Sequence, residues 1–116
     1  MTYNLNNRKI CLDYASYGEN MKSYEWDEKK AKANFKKHGI TFGEATEVFD
    51  DSHALYIQDP TDSDEERTWI IGFTTRSPKH LIVVFCDRSI EDKQEVYRII
   101  SARRLTAKER RNLGRF

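Results

Sequence analysis

Cysteine is nearly absent from the sequence. Its 116 residues include only Cys11 and Cys86, which lie far apart and outside any Cys-x-x-Cys pair. Disulfide frameworks and structural zinc sites both need several clustered ligands, so this spacing argues against each of them. We expect Cys86, at the end of an apolar run, to be a buried thiol.

Long apolar runs are also missing. Mean hydropathy is -0.83, whereas a membrane-spanning helix needs about 20 consecutive apolar residues. Residues 1–20 have no basic start followed by an apolar core, so they do not resemble a secretory signal. These absences predict a cytoplasmic protein without a membrane partner.

The signatures of several enzyme classes are absent too. The sequence has no GxxxxGK[ST], GxGxxG, HExxH or GxSxG motif, which disfavours nucleoside triphosphatases, dehydrogenases, zinc proteases and serine hydrolases. The acidic residues from Asp59 to Glu66 could bind a divalent cation, but their spacing is not that of an EF-hand loop. A solvated acidic loop is the better interpretation, so we predict neither a metal site nor a cofactor.

Charge is distributed unevenly along the chain. Residues 21–66 carry six lysines against twelve acidic residues, whereas residues 67–116 carry twelve lysines or arginines against five acidic residues. Nine of those twelve are arginines, which suit bidentate phosphate contacts and stacking on bases. This basic half predicts a phosphate-bearing partner, although two solvated faces of opposite sign would give the same counts.

The chain has the length of one domain. Its composition changes at Met21, where the preceding residues lack any clean periodicity. We therefore predict an N-terminal arm or upstream extension at residues 1–20 and a single domain at residues 21–116.

Capping signals and hydrophobic alternation predict the elements of this domain. Asp27 is a good N-cap for a helix over residues 28–38, which Gly39 closes, and a capping box opens a second helix over residues 41–49. A last capping box at residues 106–109 opens a C-terminal helix. With strands between them, these elements predict an α+β fold, in which two N-terminal helices and a C-terminal helix surround a curved antiparallel sheet.

We predict an anionic partner for Arg98 and a helix-capping role for His38. Strand alternation places Arg98 on one face with Val96 and Ile100, and burying its charge without a partner would be costly. Arg98 therefore needs an anion, which is either a bound phosphate or an internal carboxylate such as Asp87. His38 ends the first helix, where capping the last carbonyls is a better interpretation than catalysis.

Four stretches, in this order, resemble the BrnT-type ribonuclease toxins of bacterial type II toxin-antitoxin systems. They are YEWDEKKAKANFKKHGITFGEATEVFDD, DEERTWIIGFTTR, LIVVFCDR and YRIISARRLTAKERR. The resemblance implies a small RelE-like domain and metal-independent cleavage of mRNA, which would inhibit translation. It also implies a hetero-oligomer with a BrnA-like ribbon-helix-helix antitoxin.

The same resemblance maps the family's arginines onto Arg88 and Arg98, with Asp87 as the acidic neighbour. Many relatives look like His-Thr-Glu-Arg where this chain has Phe-Cys-Asp-Arg, so the histidine and the longer carboxylate are absent. RNA supplies its own nucleophile, the 2′-hydroxyl, and the protein must orient it, accept its proton and stabilise charge on the phosphorane.

The predicted site residues fall into a catalytic group and an RNA-binding group. We expect Arg88 and Arg98 to stabilise the phosphate, and Asp87 to act as general base or to orient an arginine. The RNA-binding residues are predicted to be Arg103, Arg104, Lys108, Trp69 and Tyr97, with a core role for Trp69 as an open alternative.

Two other functions fit the same residues. A non-catalytic module could dock its basic half on nucleic acid or on an acidic partner and regulate without cleavage. A metal-dependent nuclease built on the acidic loop ranks behind both.

Overall fold

The computed structural model describes residues 2–3, 8–12, 22–59, 66–90 and 94–114. Within these ranges the strands are β1 (Thr2–Tyr3), β2 (Arg8–Leu12), β3 (Lys22–Asp27), β4 (Leu55–Gln58), β5 (Thr68–Phe73), β6 (His80–Asp87) and β7 (Glu95–Arg104). The helices are α1 (Glu28–His38), α2 (Phe42–Ala45) and α3 (Ala107–Leu113), and a 3₁₀ helix spans Thr46–Asp50. The fold is therefore α+β, as predicted. The division of the chain at Met21, which lies outside the described residues, stays a prediction.

The strands form one mixed sheet in the order β1-β2-β3-β7-β6-β5-β4. The prediction of an antiparallel sheet was wrong at its centre, because β3 and β7 run parallel with Tyr24 opposite Tyr97. A parallel pair needs a long crossover, and here α1, the short helices and three strands separate the two partners in sequence. Because β3 and β7 are so far apart in sequence, no local sequence pattern predicts that they pair.

Helix α1 begins and ends where its caps predict. The Asp27 side chain accepts hydrogen bonds from the backbone N–H groups of Lys29 and Lys30, and Gly39 closes the helix with a φ of 72°. The second helix differs from the prediction, because only four of its residues are α-helical before the backbone tightens into the 3₁₀ helix. This tighter turn directs Val48 and Phe49 into the core, where both are buried.

Two apolar cores lie against the sheet. The larger core joins residues of β3, α2, the 3₁₀ helix and β5 to β7, and includes Tyr24, Phe42, Val48 and Ile99. The smaller one contains Ile71, Ile82 and Leu105, with Trp69 and Leu113 of α3 packed against it. Cys86 is buried, as predicted. None of the described helices is long and apolar enough to span a membrane.

A buried asparagine fixes α1 beside β7. The ladder between β3 and β7 extends only to Arg98, so the later residues of β7 lack a strand on that side. Asn34 replaces it, because its side chain donates to the carbonyl of Ala102 at 2.9 Å and accepts from the Ala102 N–H at 3.1 Å. The same amide donates to the Ile40 carbonyl at 3.1 Å, which ties down the corner after α1. The C-terminal end of α1 therefore lies next to the second half of β7.

Candidate functional site

A β-bulge in β7 determines which of its side chains share a face. Val84 of β6 pairs with Ser101, whereas the next residue, Phe85, pairs with Ile99. Ile100 is therefore an extra residue, and it shifts the alternation by one position. The alternation that the sequence predicts for this strand therefore does not continue past Ile100.

The shifted alternation produces a polar strip along β7. Arg98, Ser101 and Arg103 pair with alternate residues of β6, which are Cys86, Val84 and Ile82 in turn, so these three polar side chains lie on one face. Ile99 and Ala102 belong to the larger core on the opposite face. The strip therefore has access to solvent from the side that the larger core leaves uncovered.

A cleft opens between this strip and the end of α1. We call it the α1–β7 cleft; its volume is about 330 Å³ and it is lined by Lys37, His38, Trp69, Ile82, Val84, Ser101, Ala102 and Arg103. Among the described residues, neither Lys37 nor His38 has a side-chain hydrogen bond or ion pair. Both are available to a ligand.

Trp69 forms an aromatic wall of the cleft. Its ring packs on the smaller core, in agreement with the open alternative of a core role, yet the side chain is only half-buried. The indole N–H is buried without a hydrogen-bond partner in the part of the chain that the structure describes. Leaving such a donor unpaired costs about 1–3 kcal/mol.

Arg103 is bound to an internal carboxylate at the edge of the cleft. Its guanidinium donates to both Glu109 carboxylate oxygens, at 2.8 and 2.9 Å. This bidentate contact, together with the Thr106 backbone N–H, lowers the pKa of Glu109 to about 2. The capping box of α3 and the arginine of β7 thus share one carboxylate, and Arg103 connects α3 to the sheet.

Arg98 lies further along the same strip. It is half-buried, opposite Cys86 on β6 and opposite the buried Glu25 on β3. Asp87 instead pairs with Tyr97, so it lies on the other face of the ladder. The carboxylate nearest to Arg98 in the sheet register is that of Glu25, and the proposed pairing with Asp87 is wrong.

Asp87 and Arg88 lie at the β6–β7 connection. Both are exposed, and the Asp87 carboxylate accepts a hydrogen bond from the Ser89 N–H at 2.9 Å. Five residues of β6 separate Asp87 from Ile82, the partner of Arg103, which corresponds to about 17 Å of strand. The structure therefore does not bring Asp87 and Arg88 together with Arg103.

Tyr97 occupies the face opposite the strip. Its ring stacks on Phe49 with centroids 5.0 Å apart and meets Phe85 edge-on at 5.5 Å. The hydroxyl donates to the Glu95 carboxylate at 2.9 Å, and burial together with this acceptor raises the pKa of Tyr97. The Tyr97 ring is therefore part of the aromatic core, whereas the Trp69 ring lines the α1–β7 cleft.

The two remaining predicted residues lie elsewhere. Arg104 is exposed and lines a separate cleft formed by the end of β7 and α3. Lys108 is exposed on α3 and lines neither cleft. The acidic loop, which was weighed as a cation site and predicted to be solvated, falls largely on residues 60–65, outside the described residues. No group of three potential metal ligands occurs among the described ones.

Sequence reasoning missed the contribution of α1 to the site. His38 was assigned a capping role, and Lys37 was given no role. They meet the polar strip because two hydrogen bonds join Asn34 to Ala102. A signal was present in the Lys-His-Gly of residues 37–39, which lies within the first of the four stretches that resemble the family.

Comparison with known proteins shows the family of this chain. No match was found among curated proteins. Residues 26–109 match the family described as the ribonuclease toxin, BrnT, of type II toxin-antitoxin systems. This match covers the α1–β7 cleft, the whole polar strip and most of the chain. The chain belongs to the BrnT family of ribonuclease toxins.

Proposed function

We propose that the chain is an endoribonuclease that cleaves single-stranded mRNA in the α1–β7 cleft and so inhibits translation. The observation that supports this best is the composition of the cleft: it combines an imidazole, an ammonium group and an indole with an unpaired N–H. Imidazole can move a proton near neutral pH, and the other two groups suit a phosphate and a base.

The reaction would use the 2′-hydroxyl of the RNA as its nucleophile. His38 accepts the proton of this hydroxyl, whose oxygen attacks the adjacent phosphorus, and the 5′-oxygen leaves and takes up a proton from water. The products are a 2′,3′-cyclic phosphate and a 5′-hydroxyl. Because the nucleophile belongs to the substrate, this chemistry needs positioning and charge stabilisation but no bound cation.

The basic residues stabilise the phosphorane and bind the phosphate backbone. Lys37 lies beside His38 in the cleft, where its ammonium group stabilises the charge that develops on the phosphorane. Arg98 contacts the phosphate backbone further along the strip, and Arg88 contacts it beyond the strip. Asp87 then orients the β6–β7 connection through Ser89 rather than acting as a general base.

Trp69 and Arg103 shape the cleft. A base splayed from the single strand stacks on the Trp69 ring, which is the usual mode of recognition for unpaired RNA. Arg103 keeps α3 against the cleft through Glu109, so its guanidinium positions the wall while the Glu109 carboxylate balances its charge.

Cleavage in the presence of EDTA tests this function. Purified chain is incubated with a labelled single-stranded RNA, and the ends of the fragments are identified. We expect 2′,3′-cyclic phosphate ends with the parent protein and a loss of at least about 100-fold in rate with His38→Ala, the typical contribution of a general base. His53→Ala is the matched control, because His53 is exposed and lines no part of the cleft.

Two outcomes would contradict the proposal. Equal rates for the His38 and His53 variants would remove His38 from the chemistry. A strict requirement for Mg²⁺ would favour a nuclease that uses the acidic residues 59–66.

A non-catalytic binding module is the second candidate. Two observations favour it. Arg103 is paired with Glu109 and is not available to a phosphate, and the histidine that many relatives carry before the acidic residue is absent from this chain. Retardation of RNA in a gel without any fragments would support this candidate over cleavage.

Membership in a type II toxin family implies an antitoxin partner and an RNA target. We propose that the antitoxin is a BrnA-like ribbon-helix-helix protein that forms a hetero-oligomer with this chain in the cytoplasm, where mRNA is available. Co-purification with the product of an adjacent gene tests this partner; an unrelated fold in that product would contradict it.

A further inference from the structure

A second basic cleft lies where the β5–β6 turn, the end of β7 and α3 meet. We call it the α3 cleft. Its volume is about 410 Å³, and four of its lining side chains are basic: Lys79, His80, Arg104 and Arg110. The two guanidinium groups, Arg104 of β7 and Arg110 of α3, give this part of the surface a positive potential.

Few carboxylates neutralise this cleft. Lys79 forms an ion pair with Glu44. Within the described residues, neither Arg104 nor Arg110 makes a side-chain hydrogen bond or an ion pair. Guanidinium groups bind phosphate oxygens through paired, charge-assisted hydrogen bonds, so two available guanidinium groups in one cleft suit a polyanion.

The cleft also has an aromatic surface. The His80 ring packs on the Phe73 ring with centroids 4.7 Å apart. Burial, and then the positive charge of Arg110, lower the pKa of His80, which agrees with its position beside a cation. Aromatic rings beside guanidinium groups are the combination found in the platforms that bind single strands without sequence preference.

The two clefts are neighbours along β7. Ser101 lines the first cleft and Arg104 lines the second, and three residues of strand correspond to about 10 Å. The two residues are an odd number of positions apart, so their side chains leave β7 on opposite faces. A strand that occupies both clefts must therefore pass around the end of β7, where Arg104 is exposed.

We propose that the α3 cleft binds the sugar-phosphate backbone of the RNA beyond the α1–β7 cleft, through Arg104 and Arg110. This rests on the proposed function, which supplies the RNA strand. It extends the bound length of RNA beyond the α1–β7 cleft and would make activity dependent on substrate length.

The test compares two adjacent arginines of α3. Arg110 lines the cleft, whereas Arg111 is equally exposed and lines neither cleft. The affinity of Arg110→Gln and Arg111→Gln for a fluorescein-labelled 2′-O-methyl RNA of twelve nucleotides is measured by anisotropy at several salt concentrations. This probe lacks the nucleophile, so binding is measured whether or not the chain cleaves RNA.

We expect Arg110→Gln to weaken binding about fivefold and to reduce the salt slope by about 0.7, the contribution of one single-strand phosphate. Arg111→Gln should change the affinity less than twofold. Equal effects of the two variants would overturn the inference even if the chain proves to be a ribonuclease. So would a loss of affinity for an acidic dodecapeptide without a loss for RNA, since the cleft would then fit a protein segment.

Discussion

Adjacent residues of the same type have different roles at the scale of single side chains. Arg103 is bound bidentately to Glu109, whereas Arg104 lines the α3 cleft without a carboxylate partner among the described residues. Lys37 lines the α1–β7 cleft, whereas Lys36 is exposed outside it. Counting basic residues along the chain could not make these distinctions, because they depend on which face and which carboxylate each side chain meets.

The ion pair between Arg103 and Glu109 predicts a pH dependence of stability. The pKa of Glu109 is lowered from 4.5 to about 2 in the folded chain, so its contribution is complete above about pH 4.5 and is lost as the pH falls toward 2. At neutral pH, Glu109→Gln should lower the free energy of unfolding by about 1 kcal/mol, since both side chains are partly exposed.

Urea unfolding between pH 2 and 7 measures this difference. The gap between the parent and Glu109→Gln should close toward pH 2, while Glu66→Gln, a change at an exposed carboxylate, should follow the parent throughout. A gap that stays constant over this range would mean that the ion pair does not stabilise the fold.

At the scale of elements, Asn34 attaches α1 to the sheet. Its amide satisfies both backbone groups of Ala102 and the carbonyl of Ile40. Asn34→Ala should lower the free energy of unfolding by about 3 kcal/mol, because each buried group left unpaired costs about 1–3 kcal/mol. Asn112→Ala, on the exposed surface of α3, is the control and should change it by less than about 0.5 kcal/mol.

The Asn34→Ala substitution should also reduce RNA cleavage. If Asn34 positions Lys37 and His38, the Asn34→Ala variant should lose RNA cleavage at temperatures where circular dichroism still shows it folded. Full activity with reduced stability would restrict Asn34 to a structural role.

Elements that depend on local signals could be predicted from the sequence. The caps at Asp27, Gly39 and Thr106 gave the bounds of α1 and the start of α3, because a cap acts within one turn of its helix. The parallel pairing of β3 with β7 and the bulge at Ile100 depend on contacts between distant segments. No local pattern encodes them, and both decide which residues form the site.

Only part of the candidate site could be predicted, because some of its residues come together through contacts between distant segments. Trp69 and Arg103, predicted as RNA-binding, do line the α1–β7 cleft. Lys37 and His38 join them only because a helix from the first half of the chain lies against the last strand. The sequence places these two pairs more than 30 residues apart, so only the tertiary structure brings them together.

At the scale of the whole molecule, the two halves of the charge pattern do not form two separate faces. Lys37, from the acidic half, lines the same cleft as Arg103, from the basic half. Part of the acidic half is structural: Glu47 accepts hydrogen bonds from the backbone N–H groups of Thr75 and Arg76, and Asp51 accepts one from Phe73. These carboxylates hold the β5–β6 turn and leave the two basic clefts open.

The two tryptophans allow a direct measurement of where RNA binds. Trp69 lines the α1–β7 cleft with an unpaired indole N–H, whereas Trp26 is 5% exposed and packs edge-on against Phe42. In a ¹H–¹⁵N NMR titration with an uncleavable 2′-O-methyl RNA, the account predicts a saturable shift of the Trp69 indole signal and an unchanged Trp26 signal. Binding of the RNA with no change at Trp69 would contradict it.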